Sequence, residues 1–137
     1  MFNPIHKLAS SAYQTVSVET ALEGARPQHL ATMLFDALLQ SLASARAAIA
    51  GGDLGLKAKA IGRAVRILEE GLRAGLNPRE GGELARNLDI LYGYGVLRLT
   101  QANLRNDVQA VDEVLRLISP LAQAWQQVSG AADRRAA

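Results

Sequence analysis

The stretch from Glu80 to Arg105 reads as one long helix, and it limits what the rest of the chain can be. Leu84, Leu88, Leu91, Gly95, Leu99 and Ala102 recur at three- and four-residue steps, which puts them on one stripe of a helix of period 3.6 and predicts a buried face. Ile90, Tyr92, Tyr94, Val96 and Leu97 add apolar or aromatic surface at angles that this stripe does not cover. A helix that is apolar nearly all round needs cover on a second face, from another helix, from the chain's own terminus or from a partner. For any one of Ile90, Tyr92 and Tyr94, burial between two neighbouring helices is an equally good reading. As a set they point to a groove.

Three further helices supply the first face's cover. Pro27 suits a first helical turn, and Leu30, Met33, Leu34, Leu38, Leu42, Ala45 and Ile49 follow with helical spacing, giving helix one over about Pro27 to Ala50. Gly51 and Gly52 end it, and Asp53 offers an N-cap for the next. Helix two spans about Leu54 to Leu76 with Ala58, Ile61, Val65, Leu68 and Leu72 on one face. Its glycines at 55, 62, 71 and 75 each cost roughly 0.5–1 kcal/mol relative to Ala, so packing must compensate or a neighbour must come close to the backbone there. Asn77-Pro78 stops it. Asn106-Asp107 makes a tight connection, with Asp107 as N-cap, into helix four, which carries Val108, Val111, Val114, Ile118, Leu121, Trp125 and Val128. Pro120 inside that pattern predicts a kink or break, and the continued apolar spacing favours the kink.

Short linkers between helices of this length imply antiparallel neighbours. The fold expected is all-α, an antiparallel up-down-up-down four-helix bundle over residues 27–128. A mobile N-terminal arm, residues 1–26, precedes it, its Leu8, Tyr13, Val16 and Val18 apolar enough to dock on the bundle. Residues 129–137 are expected to be a frayed tail.

At 137 residues the chain is one domain by the usual size. It has no cysteine, so it has no disulfide framework and no thiolate site, and the cytosol is the default compartment. No signal peptide and no stretch of about 20 apolar residues is evident, so neither secretion nor membrane insertion is expected. The net charge is +2 and both signs are interspersed, without the one-sided arginine cluster that nucleic-acid binding wants. Arg63, Arg66 and Arg73 form the best basic set, and a solvated helix face accounts for it.

Catalytic and cofactor chemistry find no support. A di-metal bundle needs paired Glu-x-x-His motifs, and neither His6 nor His29 has an acidic residue three positions before it. No phosphate loop, nucleophile elbow or Ser/His/Asp set can be assembled, so no enzyme activity, cofactor or metal is expected. Glu69 and Glu70 are adjacent and do not face each other on a helix, while Glu80 and Glu83 suit the dipole of a helix start.

Four segments, from Ala12 to Ala21, Pro27 to Asp36, Gly81 to Tyr92 and Ala102 to Asp107, together and in this order resemble the flagellin-specific export chaperone family FliS. The resemblance covers nearly the whole chain, to Trp125. It implies a bacterial cytosolic chaperone with a four-helix bundle that binds the disordered C-terminal segment of newly made flagellin, blocks its premature polymerisation and helps present it to the flagellar type III export gate. Gly93 and Gly95 depart from the family pattern, which commonly has an acidic residue and then Met around the second tyrosine.

A doubly apolar central helix with a detachable apolar arm is independently what a helix-in-groove binder needs. The residues expected to line the groove are Ile90, Tyr94 and Leu97 of helix three with Ala64 and Ile67 of helix two. Tyr13 in the arm is expected to be a contact or a lid, the alternative being a hydrophobic staple at the entry to helix one. The competing reading of the same surface is a weak homodimer through helix three.

Overall fold

The computed structural model describes residues 27–136, and the arm with Tyr13 lies outside them. Among the described residues there are four helices and no strand. They are α1 (Pro27–Gly51), α2 (Leu54–Arg66, continued by a π-helical segment over Ile67–Arg73), α3 (Pro78–Arg105) and α4 (Val108–Ala136). Helices α1 and α3 each pack against both α2 and α4, so the four form a ring of neighbours.

Side-chain links fix the directions. The start of α2 meets the end of α3 through Lys57, whose Nζ donates to the Asn103 carbonyl at 2.9 Å and to Asn106 Oδ1. The end of α2 meets the start of α3 through Arg73 and Asp89, 2.7 Å apart. The end of α1 meets the start of α4 through Arg46 and Asp112 at 2.8 Å. Each pair of neighbours is antiparallel, which is the expected up-down-up-down bundle.

The caps are local chemistry. Asp53 Oδ1 accepts from the Leu56 N–H at 3.0 Å, and Asp107 Oδ1 from the Gln109 N–H at 3.0 Å. Asn77 caps α3, accepting from the Arg79 and Glu80 N–H groups at 3.1 and 3.2 Å, while Pro78 has no N–H to satisfy. Asn106 ends α3 in the left-handed conformation, φ 51°, which a short polar side chain tolerates.

Four features differ from the sequence reading. Helix α3 begins with a single turn, Pro78 to Gly81, and then bends at Gly82, whose φ of 55° and ψ of −130° only glycine adopts without strain. Helix α2 widens into π geometry over its last seven residues. There Gly71 lies against α1, where a Cβ would sit 3.0 Å from Leu34 Cδ2, so this glycine is the place where a neighbour approaches the backbone. Helix α4 continues through Pro120, in keeping with the continued apolar spacing, but extends to Ala136, past residue 128. Finally α1, over His29–Gly51, is long and apolar enough by length and composition to cross a membrane, with a mean hydropathy of 1.2. Its Ala31, Phe35, Leu38, Leu42 and Ala45 are nonetheless core positions of the bundle.

The core is a layer of side chains from all four helices. Tyr92, Leu38, Leu42, Leu68, Leu72, Leu99, Val111, Val114 and Ile118 are its largest fully buried members. Tyr92 therefore belongs to the inner face of α3, not to its second face. The inner stripe is Ala85, Leu88, Tyr92, Gly95, Leu99 and Ala102, spaced 3-4-3-4-3, with Leu84 and Leu91 half-buried on its flank.

Candidate functional site

The 3-4-3-4-3 register turns the opposite side of α3 to solvent, and from Ile90 to Leu104 that side is apolar apart from Gln101. Ile90 is 69% exposed, Tyr94 40%, Leu97 54% and Leu104 81%. Spaced at four, three and seven residues, they fall within one narrow stripe, which spans about 21 Å at 1.5 Å per residue. Among the described residues there is no further helix with which to cover it. Exposed apolar residues that line up in this way on one helix are what a partner helix or an extended segment can bury.

Charged groups border the stripe on both sides and tie α3 to its neighbours. On the α2 side, Arg73 donates from Nε to Asp89 at 2.7 Å and from Nη1 to Glu69 at 2.8 Å. The guanidinium crosses α3 at Gly93, where a Cβ would lie only 3.1–3.2 Å from its atoms. The two carboxylates hold its proton more tightly than usual, Asp89 first and Glu69 second. On the α4 side, Glu113 accepts from the Tyr94 hydroxyl at 2.8 Å with one oxygen and from Arg98 Nε at 2.5 Å with the other. Arg98 Nη1 in turn donates to Gln101 Oε1 at 2.6 Å. Arg98, then Tyr94, hold the Glu113 carboxyl below its ordinary range, and the same carboxylate pushes the Tyr94 phenol up.

At its N-terminal end the stripe runs into an open cavity of about 320 Å³ lined by Arg73, Leu76, Pro78, Ala85, Arg86, Asp89 and Ile90. The bend at Gly82 lies at this end, between Pro78 and Ala85 of the lining. The apolar centre with a polar border is the usual anatomy of a protein interface.

Residues 9–132 of the chain match the model of the family described as flagellar protein FliS. The chain belongs to the FliS family. The flagellar secretion chaperone FliS of Salmonella typhimurium is 48% identical over 118 residues, covering 86% of this chain and 87% of that protein. Its Escherichia coli counterpart is 42% identical over 118 residues, with the same coverage of 86% and 87%. The flagellar secretion chaperone FliSB of Pseudomonas aeruginosa is 40% identical over 121 residues, 88% of this chain and 95% of that protein. These are flagellar secretion chaperones, a role without catalysis.

On this FliS-family bundle the residues expected to line a groove fall into three groups. Ile90, Tyr94 and Leu97 lie together on the exposed stripe. Ile67 is half-buried in the π segment and packs against the core. Ala64 has no exposed surface at all: it is a core residue at the α2 seam, so it cannot touch a partner in this conformation. Tyr13 lies outside the described residues. Sequence reasoning missed Leu104, although it follows Leu97 at a seven-residue step. It also missed Glu113 and Arg98, whose roles depend on two helices meeting. His29, expected at the surface, is exposed.

Proposed function

We propose that this chain is a cytosolic export chaperone that holds the disordered C-terminal segment of flagellin on the outward stripe of α3. In doing so it keeps the segment from polymerising before it reaches the flagellar type III export gate. The single observation that carries this reading is the exposed line of Ile90, Tyr94, Leu97 and Leu104 on a helix whose other face is core. Membership of a family of flagellar secretion chaperones supports the choice of partner.

A segment that polymerises through an apolar stripe is silenced when that stripe is covered. Covering it contributes about 25 cal/mol for each Å² of apolar surface removed from water, reduced by the cost of ordering a flexible chain. No bond is made or broken, so nothing in the task requires catalysis. Release at the export gate requires that the contact be reversible, which suits a docked surface stripe better than insertion into the core. Tyr13 on the N-terminal arm is proposed as an added contact or as a lid on the stripe when flagellin is absent.

The test is a polymerisation assay. Stoichiometric protein added to monomeric flagellin should suppress seeded filament growth, and Ile90→Asp with Leu97→Asp should restore it while the variant keeps a native melting curve. Suppression that survives the double substitution would place the binding surface elsewhere on the bundle.

A further inference from the structure

Tyr94 is the one member of the stripe that carries a polar atom, and that atom is tied to another helix. Both of its chain neighbours, Gly93 and Gly95, lack side chains. Gly95 is buried against Leu68, and the Arg73 guanidinium lies over Gly93. The tether of its hydroxyl comes from α4. Glu113 uses one carboxylate oxygen for the Tyr94 hydroxyl at 2.8 Å and the other for Arg98 Nε at 2.5 Å. Tyr94 and Arg98 are one turn apart on α3, so a single carboxylate on α4 bridges both. Gln101, at 2.6 Å from Arg98 Nη1, completes a chain of four groups along the edge of the stripe.

We propose that Glu113, clamped by Arg98, is a positioning residue that fixes the Tyr94 ring in the orientation the docking stripe presents to its partner. This rests on the docking reading above. An exposed tyrosine without such a tether samples several rotamers, and a partner must then immobilise it on binding. Fixing one rotamer-rich side chain in advance is worth about three- to tenfold in affinity. A surface ion pair by itself contributes little to stability, so the cluster makes better sense as a device for geometry than for folding. The carboxylate gives each partner its own oxygen, Oε2 to the Tyr94 hydroxyl and Oε1 to Arg98 Nε, so neither bond competes with the other.

The experiment is a double-mutant cycle in the full chain, read by titration calorimetry with a peptide of the last ~40 residues of the cognate flagellin, a length that spans the bundle when partly helical. Glu113→Ala should weaken binding about three- to tenfold, and Glu113→Gln, which keeps one acceptor for the hydroxyl, should fall between it and wild type. In a Tyr94→Phe background, which has no hydroxyl to hold, Glu113→Ala should cost nothing further. The near-ultraviolet circular dichroism of the free protein should lose the same tyrosine signal in Glu113→Ala and in Tyr94→Phe. An unchanged affinity in Glu113→Ala, or an equal loss with and without the hydroxyl, overturns the positioning role while leaving the docking site in place. Wild-type protein that does not bind the peptide overturns the docking reading and this proposal with it.

Discussion

Tyr92 and Tyr94 are two residues apart on one helix and should respond to the same substitution in opposite ways. Tyr92 is fully buried among the core residues of the bundle, whereas Tyr94 is 40% exposed and hydrogen-bonds to Glu113 of α4 through its hydroxyl. Tyr92→Ala removes an aromatic ring from the core and leaves a cavity, a change that typically costs 3–5 kcal/mol. For a chain of this length each kcal/mol moves the melting midpoint by roughly 3–5 °C, so Tyr92→Ala should melt about 10–20 °C below wild type. Tyr94→Ala removes a partly solvated ring and one surface hydrogen bond, and should shift the midpoint by no more than a few degrees. Thermal melts followed by circular dichroism at 222 nm measure both. Equal destabilisation by the two substitutions would refute the assignment of the inner stripe to Ala85, Leu88, Tyr92, Gly95, Leu99 and Ala102, and with it the claim that the Ile90 and Tyr94 side of α3 faces solvent.

Gly82→Ala should destabilise the bundle by about 1–3 kcal/mol, the usual cost of forcing a side chain into such a backbone region, and urea denaturation with an unchanged m-value checks it. Gly93→Val should push the Arg73 guanidinium off α3 and break its pair with Asp89, half-exposed groups whose separation costs less than about 1 kcal/mol; a crystal structure of the variant would show the displaced arginine. The Tyr94 phenol, raised by its hydrogen bond to Glu113, should titrate above the usual 10.0, read at 295 nm as wild type minus Tyr94→Phe, and return toward that value in Glu113→Gln. Its contribution to stability is then complete below pH 10.0 and fades as the pH rises through the raised folded value. Glu113 works in the other direction: its folded pKa is lowered, chiefly by Arg98, so its contribution is complete above the ordinary 4.5 and is lost as the pH falls through the lowered value.

The helices and their ends were legible because the signals are local. Asp53 and Asp107 cap as their positions predict, and Asn77-Pro78 stops one helix, while the same asparagine caps the next. The register of α3 was harder. Leu84 and Leu91 fit a 3.6-residue stripe as well as Ala85 and Tyr92 do, and only the volume between the four helices decides which set points inward. Gly81-Gly82 was a turn signal inside a helical pattern, overridden by the strong periodicity around it. Within the π segment Gly71 meets Leu34, a contact between elements that no single stretch of sequence encodes. The same reason hid Glu113 and made Ala64 look available. Ile90, Tyr94 and Leu97 were legible because excess apolar surface on one helix is a local property. Their common exposure followed once Tyr92 was placed inside.

Docking of a flagellin C-terminal segment on the outward stripe of α3 can be read by calorimetric titration of the full chain with that segment, beside a Leu97→Asp variant. The wild type should bind one-to-one with a large negative heat-capacity change, the mark of apolar burial, and the variant should lose that binding without losing its melting transition. Absence of binding at tens of micromolar, together with a stable dimer in sedimentation, would contradict it and assign the stripe to a second copy of the chain.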